Sequence, residues 1–312
     1  MEETITLDNI NFKFVKEASE LESRWAKTDS LVGVDDKHKR MCIAVLLENQ
    51  RLINEVSTGN TGGDEVKSKL LPLVRHVYPK MKAWDWISIQ PMLGPAGLLY
   101  HVRRRDGEPV VVETEDVCAK TRRLRHRVAD DFGVKDASHW IADEFDAEVL
   151  VDLWNNSGTV RTADLSGKES LEEKTSLLRQ QVVLLQDDMR QKGFAPTFLV
   201  TNSNLRSLYG KAFANLGGNV AIYCHEAVSG VLMGYRGESY IDSGYVLCPY
   251  VPFTTTPGPV GVDQLGLLTR YGKKLMRAGA RYYGRISVNL NPDYCDNLGS
   301  RLAAARYFGA NA

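Results

Sequence analysis

The 312-residue sequence predicts an α+β fold, and three observations lead there. Amphipathic runs of helical period fill much of the first two thirds. From Val220 onward the pattern turns β-rich and is punctuated by Gly and Pro. Between Tyr78 and Arg103, YPKMKAWDWISIQPMLGPAGLLYHVR stops a helix at Tyr78-Pro79 and continues as a β-rich run holding Trp84 and Trp86. Its centre, Gln90-Pro91-Met92-Leu93-Gly94-Pro95-Ala96-Gly97, sets two prolines and two glycines between apolar runs. Proline fixes φ and glycine permits tight turns, so this is a stiff corner rather than a slack loop. It holds no reactive group, and shape is what it specifies.

In chain order, residues 1–35 are polar, with Ile10, Phe12 and Phe14 alternating as in a strand lying on a surface, so an extended arm is expected there. His38 to Val56 reads as an amphipathic helix, with Met41, Val45, Ile53 and Val56 near helical period. Ser57 to Gly63 breaks the chain, and Asp64 caps a helix reaching Tyr78 that Pro72 should kink. Leu98–Arg105 and Pro109–Glu113 alternate as two antiparallel strands around an Asp106-Gly107 turn, and the return strand is expected to run through Cys118 to Val128. So long a projecting arm has few large apolar residues and needs a partner surface, since an isolated hairpin is marginal in water.

Val134 to Trp154 predicts a helix with Ile141, Phe145, Val149 and Leu153 on one face. A second long helix starts at a capping box, Ser166-x-x-Glu169, presents Leu171, Leu178, Val182, Leu185 and Met189, and ends at Gly193. Phe198–Thr201 is a short buried strand, followed by a helix capped at Asn202 or Ser203 and reaching about Leu216. Strands are expected near 220–225, 231–236, 245–251, 264–275 and 282–290, with a short helix in the tail.

Composition is that of a globular protein, 43% hydrophobic and 25% charged, with 39 Lys+Arg against 39 Asp+Glu. Zero net charge argues against a coat for nucleic acid, which carries a basic excess, and leaves no net repulsion between copies. Cys42, Cys118, Cys224, Cys248 and Cys295 show no C-x-x-C spacing and read as free thiols in a reducing cytoplasm, with no metal or cofactor site expected. The acidic start lacks the marks of a signal peptide, and Ser243 to Val262, though charge-free, holds four prolines and cannot be a spanning helix, so no membrane association is expected.

Candidate chemistry is sparse. In Cys224-His225-Glu226 a strand would turn Cys224 and Glu226 one way and His225 the other, a poor dyad. The other histidines lack metal-ligand spacing, and Gly167-Lys168 lacks the P-loop's preceding glycine. No enzyme is expected. The sharpest signal is charge segregation. Lys120, Arg122, Arg123, Arg125 and Arg127 stand together without an acid. Asp130, Asp131, Asp136, Asp143, Glu144, Asp146, Glu148 and Asp152 follow with only Lys135 among them. With Arg103, Arg104 and Arg105, the basic strand of one copy is expected to lie across the acidic helix of the next. Repeated contacts and fixed orientation would compensate for ion pairs that individually contribute ~0–1 kcal/mol. Two solvated faces, or a nucleic-acid patch lacking aromatic stacking residues, are the alternatives. The uncharged run Tyr245 to Gly258 reads either as a subunit contact or as an ordinary buried strand.

The corner also carries a resemblance. Tyr78-Pro79, Ala83-Trp84-Asp85, Gln90-Pro91-Met92, Pro95-x-Gly97 and Arg103 stand without gaps in an order that resembles the major capsid protein of tailed double-stranded-DNA bacteriophages, T-even-like branch. Gly234-Tyr235-Arg236-Gly237, Asp242-x-Gly244, Pro249-Tyr250-Val251 and Thr269-Arg270-Tyr271-Gly272 follow in the family's order. The first seventy or so residues show no match. The resemblance implies the Hong Kong 97-type phage capsid fold: an N-terminal arm (1–57), an extended β-hairpin loop (98–128), a peripheral domain with a long spine helix (58–97, 129–198 and 264–312) and an axial domain (199–263). It implies hexamers and pentamers in an icosahedral head enclosing packaged DNA, assembled in the host cytoplasm, with portal, scaffold and decoration or cement proteins as further partners. The insertion domain of the T-even proteins has no room here. The chain begins at Met1, so the removal of a pro-region by a head protease, as in that branch, is not expected. The alternative the resemblance leaves is an encapsulin-like compartment shell.

Overall fold

The computed structural model describes residues 12–28, 30–56, 63–105, 107–129, 132–167, 170–214, 216, 219–257 and 264–289. The first helix, α1 (Phe12–Trp25), occupies the segment where an extended arm was expected. Ala18, Leu21 and Trp25 recur at helical spacing and pack on α2 (Lys37–Val56), and Glu22–Arg40 and Glu48–Arg24 pairs at 2.9 Å fix the contact. The alternation of Phe12 and Phe14 was thus a misleading period; Ile10 and the rest of 1–11 lie outside the described residues. Helix α2 is itself core, with Cys42 to Leu47 buried. Helix α3 (Gly63–Val77) runs through Pro72 unbroken. The tryptophan-bearing run is not β but two 3₁₀ turns, Tyr78–Lys80 and Lys82–Asp85, followed by the two-residue strand β1 (Ser88–Ile89).

The hairpin strands are β2 (Ala96–Arg105) and β3 (Glu108–Cys118). Gly107 takes φ +89°, which a tight turn needs and which glycine adopts without steric cost; Asp106 lies outside the described residues. The expected single return strand breaks at Ala119, and β4 (Lys120–Val128) joins another sheet. Helix α4 (Val134–Asn155) follows, with Ile141, Phe145, Val149 and Leu153 all buried as the spacing predicts. After β5 (Thr159–Asp164) comes α5 (Leu171–Gln191), capped by Ser170, whose side chain accepts from the Glu173 N–H, and not at Ser166; Glu169 lies outside the described residues. Leu178, Val182, Leu185 and Met189 are buried, whereas Leu171 is exposed. Gly193 at φ +86° ends the helix as expected. Strand β6 (Phe198–Thr201) leads into α6 (Ser203–Tyr209), capped by Asn202, which stops well short of Leu216. Strands β7 (Ala221–Cys224), β8 (Val231–Gly234), β9 (Tyr245–Thr256), β10 (Leu265–Leu275) and β11 (Tyr283–Asn289) fall where the Gly/Pro punctuation placed them.

Two sheets organise the chain. One has order β1-β9-β10-β4 and packs its core face on α2, α3 and α4; the other has order β5-β11-β8-β6-β7 and is covered by α5 and α6. Strands β5 and β11, from segments expected to be peripheral, thus share a sheet with β6–β8, while β9 sits in the other sheet. The uncharged run 245–257 is mainly the buried strand β9. Proline in a central strand removes a ladder donor, and Pro249 and Pro252 are accommodated because β1 covers only Val246 and Leu247. Beyond them α2 takes the place of a strand. Asn49 Nδ2 donates to the Met92 and Tyr250 carbonyls, each at 2.8 Å, and Gln50 exchanges two bonds with the Phe253 backbone, at 2.9 and 3.0 Å.

The hairpin does not project. Leu99 and Val117 pack with Met92, Val246, Cys248 and Met276; Val102 and Val112 pack on Ile241. The strand that was expected to need a partner finds one on its own chain. Replacing Gln50 by Leu strips partners from a buried N–H and a buried C=O at once, and should lower the unfolding free energy by about 2–4 kcal/mol in urea titrations.

Candidate functional site

The motif residues are scattered along the sequence yet meet at one joint. Gln90 holds the hairpin base: its Oε1 accepts from the Tyr100 N–H at 2.9 Å and its Nε2 donates to the Tyr100 carbonyl at 2.6 Å. Its own backbone N–H donates to Leu247, and the Met92 N–H donates to Pro249 at 2.7 Å, so Gln90-Pro91-Met92 is laced to β9. Pro79 sits in the first 3₁₀ turn, and Asp85 accepts from the Tyr223 hydroxyl at 3.1 Å. The Pro95 carbonyl accepts from Ala119 at 2.8 Å, closing the hairpin, and Gly97 lies beside Met92. At Gly244 a Cβ would stand 2.4 Å from the Gly279 carbonyl, and at Gly272 it would stand 2.3 Å from Val117, so backbone proximity demands glycine at both. Pro249 faces Tyr271 across the ladder, and Arg270 lies over the Tyr250 ring at 5.6 Å. These residues make joints; none is a nucleophile set against a base.

The basic strand and acidic helix are neighbours within one chain, because only a short connector separates β4 from α4. Between them lies a groove of about 330 Å³ lined by Arg122, Arg123, Arg125, Glu144, Glu148, Asp152 and Lys273. Lys120, Arg123, Arg125 and Arg127 are exposed, while Arg122 lies over the Tyr271 ring at 5.6 Å. Glu144 accepts from the Arg125 backbone N–H at 2.9 Å, and burial raises its carboxyl above the usual range. Glu148 and Asp152 grip Lys273 Nζ, each at 2.6 Å, and take hydroxyls from Tyr271 and Tyr245. Asp136 remains exposed in the first turn of α4, where a negative charge suits the helix dipole. Asp143 meets His225 at 3.1 Å, so His225 faces α4 while Glu226 turns to Ser203 and Cys224 to Arg206.

Asp146 points inward. It accepts from the backbone N–H groups of Lys82 and Ala83, each at 2.9 Å, and so caps the second 3₁₀ turn of the corner. Burial pushes its carboxyl up to about 7 against the pull of those two donors.

Sequence reasoning named Arg104 and Asp242 but not their contact. Arg104 Nε donates to Asp242 Oδ1 at 3.0 Å and Nη2 to Oδ2 at 2.5 Å, with the Tyr235 hydroxyl 2.6 Å from Nη2. Arg103 pairs across the hairpin with Glu113 at 2.7 Å, and the Arg105 side chain lies outside the described residues. Among the described residues no cluster of His, Cys, Asp and Glu has the makings of a metal site, and no helix is long and apolar enough to cross a membrane.

No protein-family model matches the chain, and no curated protein matches it. Among solved structures it is similar to a virus-like particle from Pyrococcus furiosus, at 12% identity over 70% of this chain and 96% of that one, with a TM-score of 0.46. It is similar to the capsid of the cyanophage P-SCSP1u, at 8% identity over 66% and 87%, TM-score 0.39. It is also similar to the mature capsid of bacteriophage PhiM1, at 10% identity over 65% and 85%, TM-score 0.39. These superpositions are loose, and the functional reading comes from the residues of this chain.

The raised carboxyl of Asp146 fixes the sign of a pH effect. A folded-state value above the ordinary one contributes stability that is complete below about pH 4 and is lost as pH rises through about 7. The thermal midpoint of the wild type should therefore fall between about pH 5 and about pH 8, and the Asp146→Asn protein, which cannot titrate there, should show a smaller fall in calorimetry.

Proposed function

We propose that this chain is a structural shell subunit, the major capsid protein of a tailed phage with the Hong Kong 97-type fold. Many copies assemble as hexamers and pentamers into a head that encloses DNA. The observation that carries this reading is the joint just described. The motif residues behind the resemblance, remote from one another along the chain, share one rigid corner and supply packing and backbone bonds rather than chemistry. A subunit that must repeat one geometry many times needs such a corner. In this reading α4 serves as the spine helix, and the unit built on β6–β8 and α6 turns toward the centre of each ring.

The exposed side chains of Lys120, Arg123, Arg125 and Arg127 supply the contact between copies, meeting acids such as Asp136 on a neighbour. Charge complementarity of this kind orients partners more than it strengthens them. Zero net charge fits a container that encloses DNA without sequence-specific binding. The proposed life of the protein is assembly in the host cytoplasm, with portal, scaffold and decoration or cement proteins as further partners, and residence in the virion.

Electron microscopy of the purified protein tests the proposal: closed shells are expected, whereas a lasting species of about 35 kDa at high concentration rejects it. Nucleic acid inside particles from infected cells supports the phage reading; an enclosed enzyme would place the chain with encapsulin-like compartments. Reversal of Arg123, Arg125 and Arg127 to Glu should leave circular dichroism unchanged, since Glu144 holds the backbone of Arg125 and not its charge, yet abolish particles in sedimentation. Normal particles from that variant would remove β4 from the interface.

A further inference from the structure

The distal half of the hairpin occupies a socket on its own chain. Arg104 enters between the rings of Tyr235 and Tyr282 and closes a fork on Asp242, with its guanidinium 4.8 Å from the Tyr235 centroid. Both partners are largely buried, with side-chain exposures of 13% and 6%. The Val102 N–H donates to the Ile241 carbonyl at 3.1 Å, and the Tyr282 hydroxyl donates to the Val102 carbonyl at 3.2 Å. At the tip a Cβ on Gly107 would stand 3.1 Å from Gly193 Cα, so the turn rests directly on the end of α5.

Three features make this seat exchangeable. Strands β2 and β3 form a separate two-stranded sheet, joined to neither body sheet. The hairpin pivots on a fixed base, where Gln90 holds Tyr100 and Ala119 is tied to Pro95. From that pivot Tyr100–Arg105 reaches roughly 20 Å at ~3.3 Å per residue, enough to cross to an adjoining molecule. A buried ion pair fixes position more than it adds net stability, but a socket left with an unpaired buried carboxylate is strongly disfavoured. An open socket therefore calls for another arginine fork with the same flanking Val102 and Val112, which an identical chain carries. Leu98 and Val110 stay exposed on the hairpin, so docking on its own body leaves apolar surface uncovered.

We propose that the socket formed by Tyr235, Ile241, Asp242 and Tyr282 accepts the hairpin of a second copy of this chain, in exchange for its own. Exchange of an identical element is a low-cost route to association, since the contacts in the separate and joined forms are the same. The proposal rests on the shell reading and names the contact through which copies hold one another.

Charge-swapped single variants test it by sedimentation velocity. Arg104→Asp alone sets two acids face to face, and Asp242→Arg alone sets two cations face to face. An equimolar mixture can restore both pairs, but only between different chains. The expected result is mixed species forming on the order of 100-fold more tightly than either variant self-associates. A mixture that sediments as the sum of its parts overturns the proposal, as do single variants that associate like the wild type. A second arm avoids charge reversal. Val112→Cys with Ile241→Cys, in a chain with Cys118, Cys224 and Cys295 replaced by Ser, should oxidise within one chain when dilute. At assembling concentrations it should give disulfide-linked dimers on non-reducing gels, and intrachain bridges alone at every concentration overturn the exchange. Wild-type particles with no exchange sink this inference alone, whereas a wild type that never associates sinks the shell reading with it.

Discussion

The uncovered edge of β9 is the constraint on which the rest of the structure depends. A central strand whose neighbour runs for two residues leaves backbone groups without a ladder, and buried groups in that condition cost ~1–3 kcal/mol each. Helix α2 meets the need with the side-chain amides of Asn49 and Gln50. That fixes the rotation of α2 against the sheet, and α1 follows through Glu22 and Glu48. The corner is held by the same bonds, because the Met92 carbonyl is one of the acceptors. Helix, sheet and corner are thereby set by one polar seam rather than by apolar packing alone, which tolerates small slips where hydrogen-bond geometry does not.

The charges of the chain divide into those that build it and those left at the surface. Asp146, Glu148 and Asp152 are drawn inward to the corner turn, Lys273 and two tyrosines, while the side chains of Arg123, Arg125 and Arg127 stay outside. Burial raises Tyr245 and Tyr271 well above the ordinary phenol range, with the facing carboxylates adding to the effect, so both remain hydroxyl donors. The acidic run is therefore less a uniform face than two populations: α4 turns one inward and leaves Asp136 and Asp143 toward solvent.

How much of this was legible in the sequence depended on range. Local signals carried well: the faces of α4 and α5, the glycine stop at Gly193, the Asn202 cap and the strands after Val220 rest on spacing and turn chemistry within a few residues. The failures came where local patterns were ambiguous. Phe12 and Phe14 alternate as in a strand, yet Ala18, Leu21 and Trp25 bury a helical face, and Ser166 and Ser170 each head a capping pattern. Long-range pairing was illegible. Nothing in the sequence separates Asp146 from Asp143, or shows that Arg104, named for its positive charge, closes on Asp242, named as a motif residue. The break at Ala119 was hidden for the same reason, since a strand that changes sheets keeps its alternation.

That break has a mechanical consequence. With a single residue between β3 and β4, the hairpin and the edge of the main sheet cannot move independently, and any load on the tip arrives at β4 as shear along its ladder with β10. Glu144 grips the Arg125 backbone, so the same load passes on to α4. The finger is a lever whose fulcrum is one peptide wide, and its short arm ends on the longest helix in the described chain.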